Sequence, residues 1–286
     1  MAKVIDVYSK AVNEGKEAGV YSSDIRVLLA FDLGFATEIE VLLHKDDEMD
    51  EKKIQLFNAQ LARLLNNEPV EYIVNECKFL EFKLFVDNRV LIPRMETQEM
   101  LAILSERILD YYDPRNYLVA ADVGTGSGCL AIALKSYFPN WLVNASDISE
   151  KALEVAKINV DRHNTRVKLL QGDALTPYIE EKMKLDVIVC NPPYIASRER
   201  VQSSVKDFEP ETALYLDKEN SVYEKVFRDI GKVKKGSILL CFEIDDDIVS
   251  FLNGLIDRHI KPIYKAEIDY IKDMNGFDRF LFIYLE

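Results

Sequence analysis

Close cysteine pairs are missing from this sequence. Cys77, Cys129, Cys190 and Cys241 are far apart and make no CxxC. That argues against a zinc site, and no metal is expected. Each cysteine lies in an apolar run and reads as a small buried hydrophobe, at home in a reducing cytoplasm. Glycine and proline are scarce, 11 and 9 residues of 286, which excludes long disordered or collagen-like stretches. No apolar run approaches the roughly 20 residues of a membrane span. Asp6 and Glu14 interrupt what could otherwise be an N-terminal signal segment. A cytoplasmic monomer without membrane contact is the expectation. Basic charge is also short: 36 Lys and Arg stand against 49 Asp and Glu, a net charge of -13. A nucleic-acid binder normally carries a basic surface that releases counterions from phosphates, so direct binding of DNA or RNA is not expected. The acidic balance is compatible with a basic protein partner. The three histidines, His44, His163 and His259, lie outside any motif and read as surface or core filler.

What is present suits a main domain plus a smaller one, with 48% hydrophobic residues to build the cores. Apolar residues recur at helical spacing at Ile25, Leu28, Leu29 and Leu33, and again at Ile54, Phe57, Leu61, Leu64 and Leu65. Ser22 and Ser23 read as N-caps of the first of these helices. The acidic run around Asp46–Glu51 reads as a solvated turn ahead of the second. Tyr72-Ile73-Val74, Phe79-Leu80 and Phe82-Leu84-Val86 read as short strands of a linking hairpin. A helix follows from about Glu96 to Tyr111. From Tyr117 onward strands and helices alternate: strands at 118–123, 141–145, 167–170 and 185–190, helices at 129–137 and 150–161. A loop-rich stretch covers 191–217. A helix, a strand, a helix and two final strands close the chain. Such alternation predicts an α/β fold with a parallel, doubly wound sheet, which binds ligands at the carboxyl ends of its strands near a topological switch point.

The first motif sits at such an end. Asp122-Val123-Gly124-Thr125-Gly126-Ser127-Gly128 lies between a strand and a helix. Glycines there permit a tight turn and close approach of a ligand to the backbone. Dinucleotide sites usually take G-x-G-x-x-G, with pyrophosphate on the helix N-terminus. The spacing here is G-x-G-x-G, typical of S-adenosylmethionine methyltransferases. Asp147 ends the second strand, where a carboxylate can accept from both ribose hydroxyls; Ser149 is the better N-cap for the helix that follows. Asp173, after the third strand, can accept from the adenine amino group.

The second motif is Asn191-Pro192-Pro193-Tyr194, directly after the buried strand Val187-Ile188-Val189-Cys190. It could be a stiff turn and no more, but a strand end facing a cofactor site is a costly place for such a turn. The chemistry of a planar nitrogen acceptor, a base amine or a side-chain amide, explains these residue types. Its lone pair is delocalised and weakly nucleophilic. Two acceptors, the Asn191 side-chain oxygen and the Pro192 carbonyl, can hold both N–H bonds and aim the nitrogen. Tyr194 offers an aromatic face for the planar group. No general base is evident.

At these residues the sequence resembles the release-factor glutamine methyltransferase family, over nearly its whole length. Glu68-Pro69-Val70-Glu71-Tyr72-Ile73 resembles the family's segment between its two domains. Leu91-Ile92-Pro93-Arg94-Met95-Glu96-Thr97 resembles its IPRPET stretch. Glu209-Pro210 with Ala213-Leu214 resembles its EP..AL, and Gly276-Phe277-Asp278-Arg279 its closing strand. The resemblance implies a Rossmann-like class I methyltransferase sheet over 93–286, a β-hairpin linker over 70–92 and a helical substrate-docking domain over 1–69. It implies methyl transfer from S-adenosyl-L-methionine to the glutamine N5 in the Gly-Gly-Gln motif of peptide chain release factors. Gly124, Thr125, Gly126, Ser127, Gly128, Asp147, Asp173, Ala174 and Asn191 would bind the cofactor, and Asn191, Pro192, Pro193 and Tyr194 the glutamine. The alternative is a nucleic-acid exocyclic-amine methyltransferase, acting on adenine N6 or guanine N2, which shares the NPPY chemistry. Three positions depart from the family pattern: Met95 replaces a proline, Ala174 stands where a bulkier residue often flanks adenine, and Glu243-Ile244-Asp245-Asp246 replaces a Glu-x-Gly run.

Overall fold

The computed structural model describes residues 1–113, 115–197 and 203–286. The chain divides into two compact units: Met1–Glu76, with which the helix Ser203–Phe208 groups, and the remainder from Cys77 onward. Part of the loop expected over 191–217, residues 198–202, lies outside the described residues.

The first unit is helical. Its main helices are α1 (Val4–Ala18), α2 (Ser22–Leu33) and α3 (Glu51–Leu65). The apolar positions read from the periodicity converge in one core: Ile25, Leu28 and Leu29 of α2 pack with Phe57, Leu61 and Leu64 of α3. Asp50 caps α3 by accepting from the Lys53 N–H at 2.9 Å, so one member of the acidic run has a structural job. At α2 the expectation fails. The helix starts at Ser22, and its N-cap residue, Tyr21, makes no side-chain capping bond. A second correction concerns Tyr72–Val74, which is helix, not strand. Val70–Val74 makes one helical turn (α4), entered through Pro69 and ended by Asn75 at a positive φ of 53°. Val70, Ile73 and Val74 are buried in the helical core. Burial on more than one side erases the alternation a half-buried strand would show. The helical unit therefore runs through Glu76 rather than ending at 69.

The second unit opens on a small antiparallel hairpin, β1 (Cys77–Phe79) and β2 (Phe82–Leu84). Helix α5 (Met95–Tyr111) follows. Then come β3 (Val119–Val123), α6 (Cys129–Tyr137), β4 (Leu142–Asp147), α7 (Glu150–Arg162), β5 (Val167–Gln171), α8 (Thr176–Glu180) and β6 (Leu185–Cys190). The unit closes with α9 (Val222–Val233), β7 (Lys234–Glu243), α10 (Val249–His259), β8 (Ala266–Lys272) and β9 (Asp278–Leu285). The sheet order is β8-β9-β7-β6-β3-β4-β5. The five strands β3 to β7 are mutually parallel, but β9 inserts antiparallel between β7 and β8. The sheet is thus mixed, and β9, which runs against its neighbours, corrects the all-parallel expectation.

Helices cover both faces. Along β6, Val187 and Val189 join the core shared with α5 and α6, while Ile188 and Cys190 join the core shared with α9 and α10. A strand buried on both faces reads as a continuous apolar run, as this one does. All four cysteines are buried and unbridged, as their apolar settings implied. The strand order reverses between β3 and β6, so the carboxyl ends of these two strands flank the switch point. Among the described residues, no helix is long and apolar enough to cross a membrane.

Candidate active site

A cleft opens at that switch point, with about 1020 Å³ of empty space. Its walls include the turn after β3, Asp147 and Ser149 after β4, Asp173 and Ala174 after β5, Asn191 to Pro193 after β6, and Pro93 and Thr97 at the start of α5.

Three glycines shape the first wall. Gly124, Gly126 and Gly128 have φ of +77°, +53° and +83°, where an L side chain is strained. A Cβ on Gly124 or Gly126 would meet no protein atom within 4 Å. A Cβ on Gly128 would sit 3.4 Å from the Ala156 backbone of α7, so this glycine permits close packing of that helix. The turn is tied to β4: the Gly124 and Thr125 N–H groups donate to the Ser146 carbonyl at 2.8 and 2.9 Å. The Gly126 N–H donates to Asp147 Oδ2 at 2.9 Å.

Asp122, at the root of the turn, is fully buried. Its Oδ2 accepts from the Thr125 hydroxyl at 2.6 Å and the Ala131 N–H at 3.1 Å, while Oδ1 has no partner. Burial pushes this carboxyl up to about 7. The sequence reading gave Asp122 no role; its signal is a lone acid in an otherwise apolar strand.

Asp147 Oδ1 accepts from the Ser149 N–H at 2.9 Å, and Ser149 in turn caps α7 by accepting from the Ala152 N–H at 3.2 Å. Ser149 thus takes the N-cap role expected of it. Burial raises the Asp147 pKa against the backbone bonds it accepts from Ser149, Gly126 and Ile148. Asp173 carries a contact the sequence did not announce: its Oδ2 pairs with Lys225 Nζ of α9 at 2.6 Å. That pair leaves Oδ1 for any ligand contact by this side chain. Ala174 holds a positive φ of 48° beside it.

The NPPY residues part company. Asn191, Pro192 and Pro193 line the cleft, whereas Tyr194 does not. Its hydroxyl donates to Glu243 Oε1 at 3.0 Å, and the Arg279 guanidinium lies 6.0 Å over its ring. Tyr194 therefore braces Glu243, with the Arg279 guanidinium over one side of its ring. Asn191 Nδ2 donates to Thr97 Oγ1 at 3.0 Å. The Thr97 hydroxyl donates to Glu243 Oε2 at 2.7 Å. Both Thr97 and Glu243 are buried, and burial lifts the Glu243 carboxyl to about 6. Arg94 pairs with the buried Glu209, whose Oε2 also accepts from the Ile92 N–H at 3.3 Å. The IPRMET and EP..AL segments, far apart in sequence, are thus bolted together. Tyr194, Thr97, Glu243 and Arg279 form a support that sequence reasoning did not assemble, since its members come from four separate elements.

The arrangement suits a nucleoside bearing an amino-acid tail. Glycine backbone without Cβ on one wall leaves room for close contact, and Asp147 beside it presents carboxylate oxygen to hydroxyl donors. A pyrophosphate would meet the charges of Asp147 and Asp173. Arg89, on the same cleft, is engaged by Asp87 at 2.7 Å and Glu154 at 2.7 Å.

Residues 6–74 match the PrmC N-terminal domain, and residues 102–223 the Methyltransferase small domain. The release factor glutamine methyltransferase of Staphylococcus aureus is 35% identical over 246 residues, covering 85% of each chain. The chain belongs to the release factor glutamine methyltransferase family. The enzyme of that name from Bacillus subtilis is 33% identical over 266 residues, 92% of this chain and 91% of its own. Among solved structures, the hMettl16 catalytic domain in complex with the MAT2A 3'UTR hairpin 6 superposes with a TM-score of 0.51 at 14% identity, over 79% of this chain and 81% of that one. That likeness concerns the fold alone: a class I methyltransferase sheet. The two domain matches fall one in each unit.

Proposed function

We propose that this enzyme transfers a methyl group from S-adenosylmethionine to the side-chain amide nitrogen of the glutamine in the Gly-Gly-Gln motif of a peptide chain release factor. The observation that carries the reading is the orientation of Asn191. With its Nδ2 donated to Thr97, its Oδ1 is the atom left to accept a hydrogen bond in the cleft. The next residue, Pro192, lines the same wall, has no N–H of its own and has a carbonyl to offer as a second acceptor. Two acceptors side by side match the two N–H bonds of a primary amide.

S-adenosylmethionine supplies an electrophilic methyl group on a sulfonium. Everything else falls to the chain's own residues. Gly124 to Gly128 and Asp147 hold the cofactor, with Asp173 and Ala174 on the adenine side. Asn191 Oδ1 and the Pro192 carbonyl hold the acceptor. As the amide nitrogen forms its new bond to carbon, positive charge grows on its N–H groups, and these two hydrogen bonds strengthen. As the nitrogen–carbon bond forms, the sulfur–methyl bond breaks and leaves the neutral thioether S-adenosylhomocysteine, and the alkylated nitrogen gives its extra proton to solvent. The stiffness of Pro192-Pro193 keeps the carbonyl aimed, which preserves the advantage of orientation. The helical unit docks the protein substrate, because a small amide pocket cannot choose among the many glutamines of a cell. Phe31, Leu42, Leu43 and Leu56 are exposed on that unit and supply apolar surface for it.

The test is incubation with S-adenosylmethionine carrying a labelled methyl group, alongside a release factor in one tube and bulk nucleic acid in another. Label is expected on the release factor. Label on the nucleic acid alone would replace this reading with exocyclic-amine methylation.

A further inference from the structure

Thr97 has a single hydroxyl proton, and the structure spends it on Glu243. The bond to Glu243 Oε2 is 2.7 Å long, and Glu243 is completely buried at the end of β7. Its other oxygen accepts from Tyr194 at 3.0 Å. An ionised carboxylate can only accept, so it takes both hydroxyl protons. Thr97 Oγ1 then has lone pairs alone to offer Asn191, and Asn191 Nδ2 donates to it at 3.0 Å. If the Thr97 proton pointed the other way, the Asn191 amide would turn over to accept it. Its NH2 would then face the cleft and meet the N–H bonds of the acceptor donor to donor.

We propose that Thr97 and Glu243 are positioning residues that set the polarity of this chain of hydrogen bonds, so that Asn191 presents oxygen rather than nitrogen to the methyl acceptor. The inference rests on the proposed methyl transfer to a planar amide or amine nitrogen. Neither residue touches that nitrogen; both act through Asn191. The motif reading explains why an Asn is present but not why its amide faces one way. A side-chain amide has nearly the same shape either way round, so shape alone cannot choose; the partner of Nδ2 does.

The same chain has a pH consequence. Burial raises the Glu243 carboxyl to about 6. The charged and titratable groups around it are Glu96 on α5, Tyr194 after β6, Cys190 on β6, Cys241 on β7, Tyr223 on α9 and Arg279 on β9. Glu96 favours protonation and Arg279 opposes it. Once Glu243 holds a proton it can donate to Thr97, and the direction of the chain is no longer fixed. Turnover therefore falls as the pH drops through about 6.

The experiment compares Thr97→Val, Thr97→Ser and Glu243→Gln in the full-length enzyme. The wild type is run on release factor and on bulk nucleic acid in parallel, and the variants on whichever takes the methyl group. That step separates failure of the substrate reading from failure of this one. Thr97→Val keeps the shape and removes the hydroxyl, and should lower kcat by about 10- to 100-fold. The KM for S-adenosylmethionine should hardly move. Thr97→Ser, which keeps the hydroxyl, should retain most of the turnover. In Glu243→Gln the low-pH limb of the kcat profile should disappear along with much of the rate. Thermal unfolding of each variant checks that it is folded. Wild-type turnover in folded Thr97→Val would overturn the proposal. So would equal losses in Thr97→Val and Thr97→Ser, or an unchanged low-pH limb in Glu243→Gln.

Discussion

Asp122 shows how much one side chain can carry at the root of the glycine turn. Its Oδ2 fastens both Thr125 and the first turn of α6, and its Oδ1 has no partner. The folded protein holds the Asp122 proton up to about 7, whereas an unfolded chain releases it near 3.8. Between those values the folded state binds more protons than the unfolded one. The stabilisation is therefore fully present below the lower value and is lost as the pH rises through the upper one. Asp122→Asn can keep both accepted bonds through its amide oxygen and does not titrate. Relative to that variant, the wild type should lose on the order of 4 kcal/mol between about pH 4 and pH 8. Denaturant unfolding of both proteins across that range measures it, and parallel stability curves would contradict the assignment. At this scale the sequence was partly legible. Gly124, Gly126, Asp147 and Asn191 were placed on the cleft by their positions at strand ends. The bond from Tyr194 to Glu243 was not legible, because the two residues lie 49 positions apart.

Among the elements, α7 does more than cover the sheet. Its Asn159 is fully buried and makes three bonds to backbone: it donates to Phe85 at 2.9 Å and Ser127 at 2.8 Å, and accepts from the Phe85 N–H at 2.6 Å. One side chain thus staples the segment after the hairpin to the glycine turn. Asn159→Leu would fill similar space and leave two carbonyls and an N–H without partners. Each buried group left unpaired costs about 1–3 kcal/mol, so a loss of roughly 3 kcal/mol or more is expected in denaturant unfolding. A loss below about 1 kcal/mol would mean that water or a local shift replaces the staple. The strands β3 to β6 and the helices α6 and α7 were legible as apolar runs or periodic faces, whereas the short helix α8 was not. What periodicity could not supply was any feature resting on distant partners. The antiparallel entry of β9 depends on pairing with β7, and the Thr97–Glu243 bond joins residues 146 apart. The helical turn at Val70–Val74 was hidden by β-branched and aromatic residues that favour strands in isolation, and tertiary burial overrode them.

For the molecule as a whole, the family match spans both the helical unit and the methyltransferase unit. In the proposed reaction the cleft clamps a primary amide at a fixed distance from the methyl donor. Asparagine is one methylene shorter than glutamine, so its nitrogen would fall about 1 Å or more short of attack, and an error of that size can cost roughly 100-fold in rate. Glutamate would fail for another reason: it has no N–H to donate and would aim an anion at the Asn191 and Pro192 oxygens. The most direct measurement is mass spectrometry of a release factor after incubation with enzyme and S-adenosylmethionine, beside a version whose Gly-Gly-Gln glutamine is changed to asparagine. One methyl group on that glutamine, and essentially none on the asparagine version, is the predicted result. Comparable methylation of the two at that position would contradict the amide clamp.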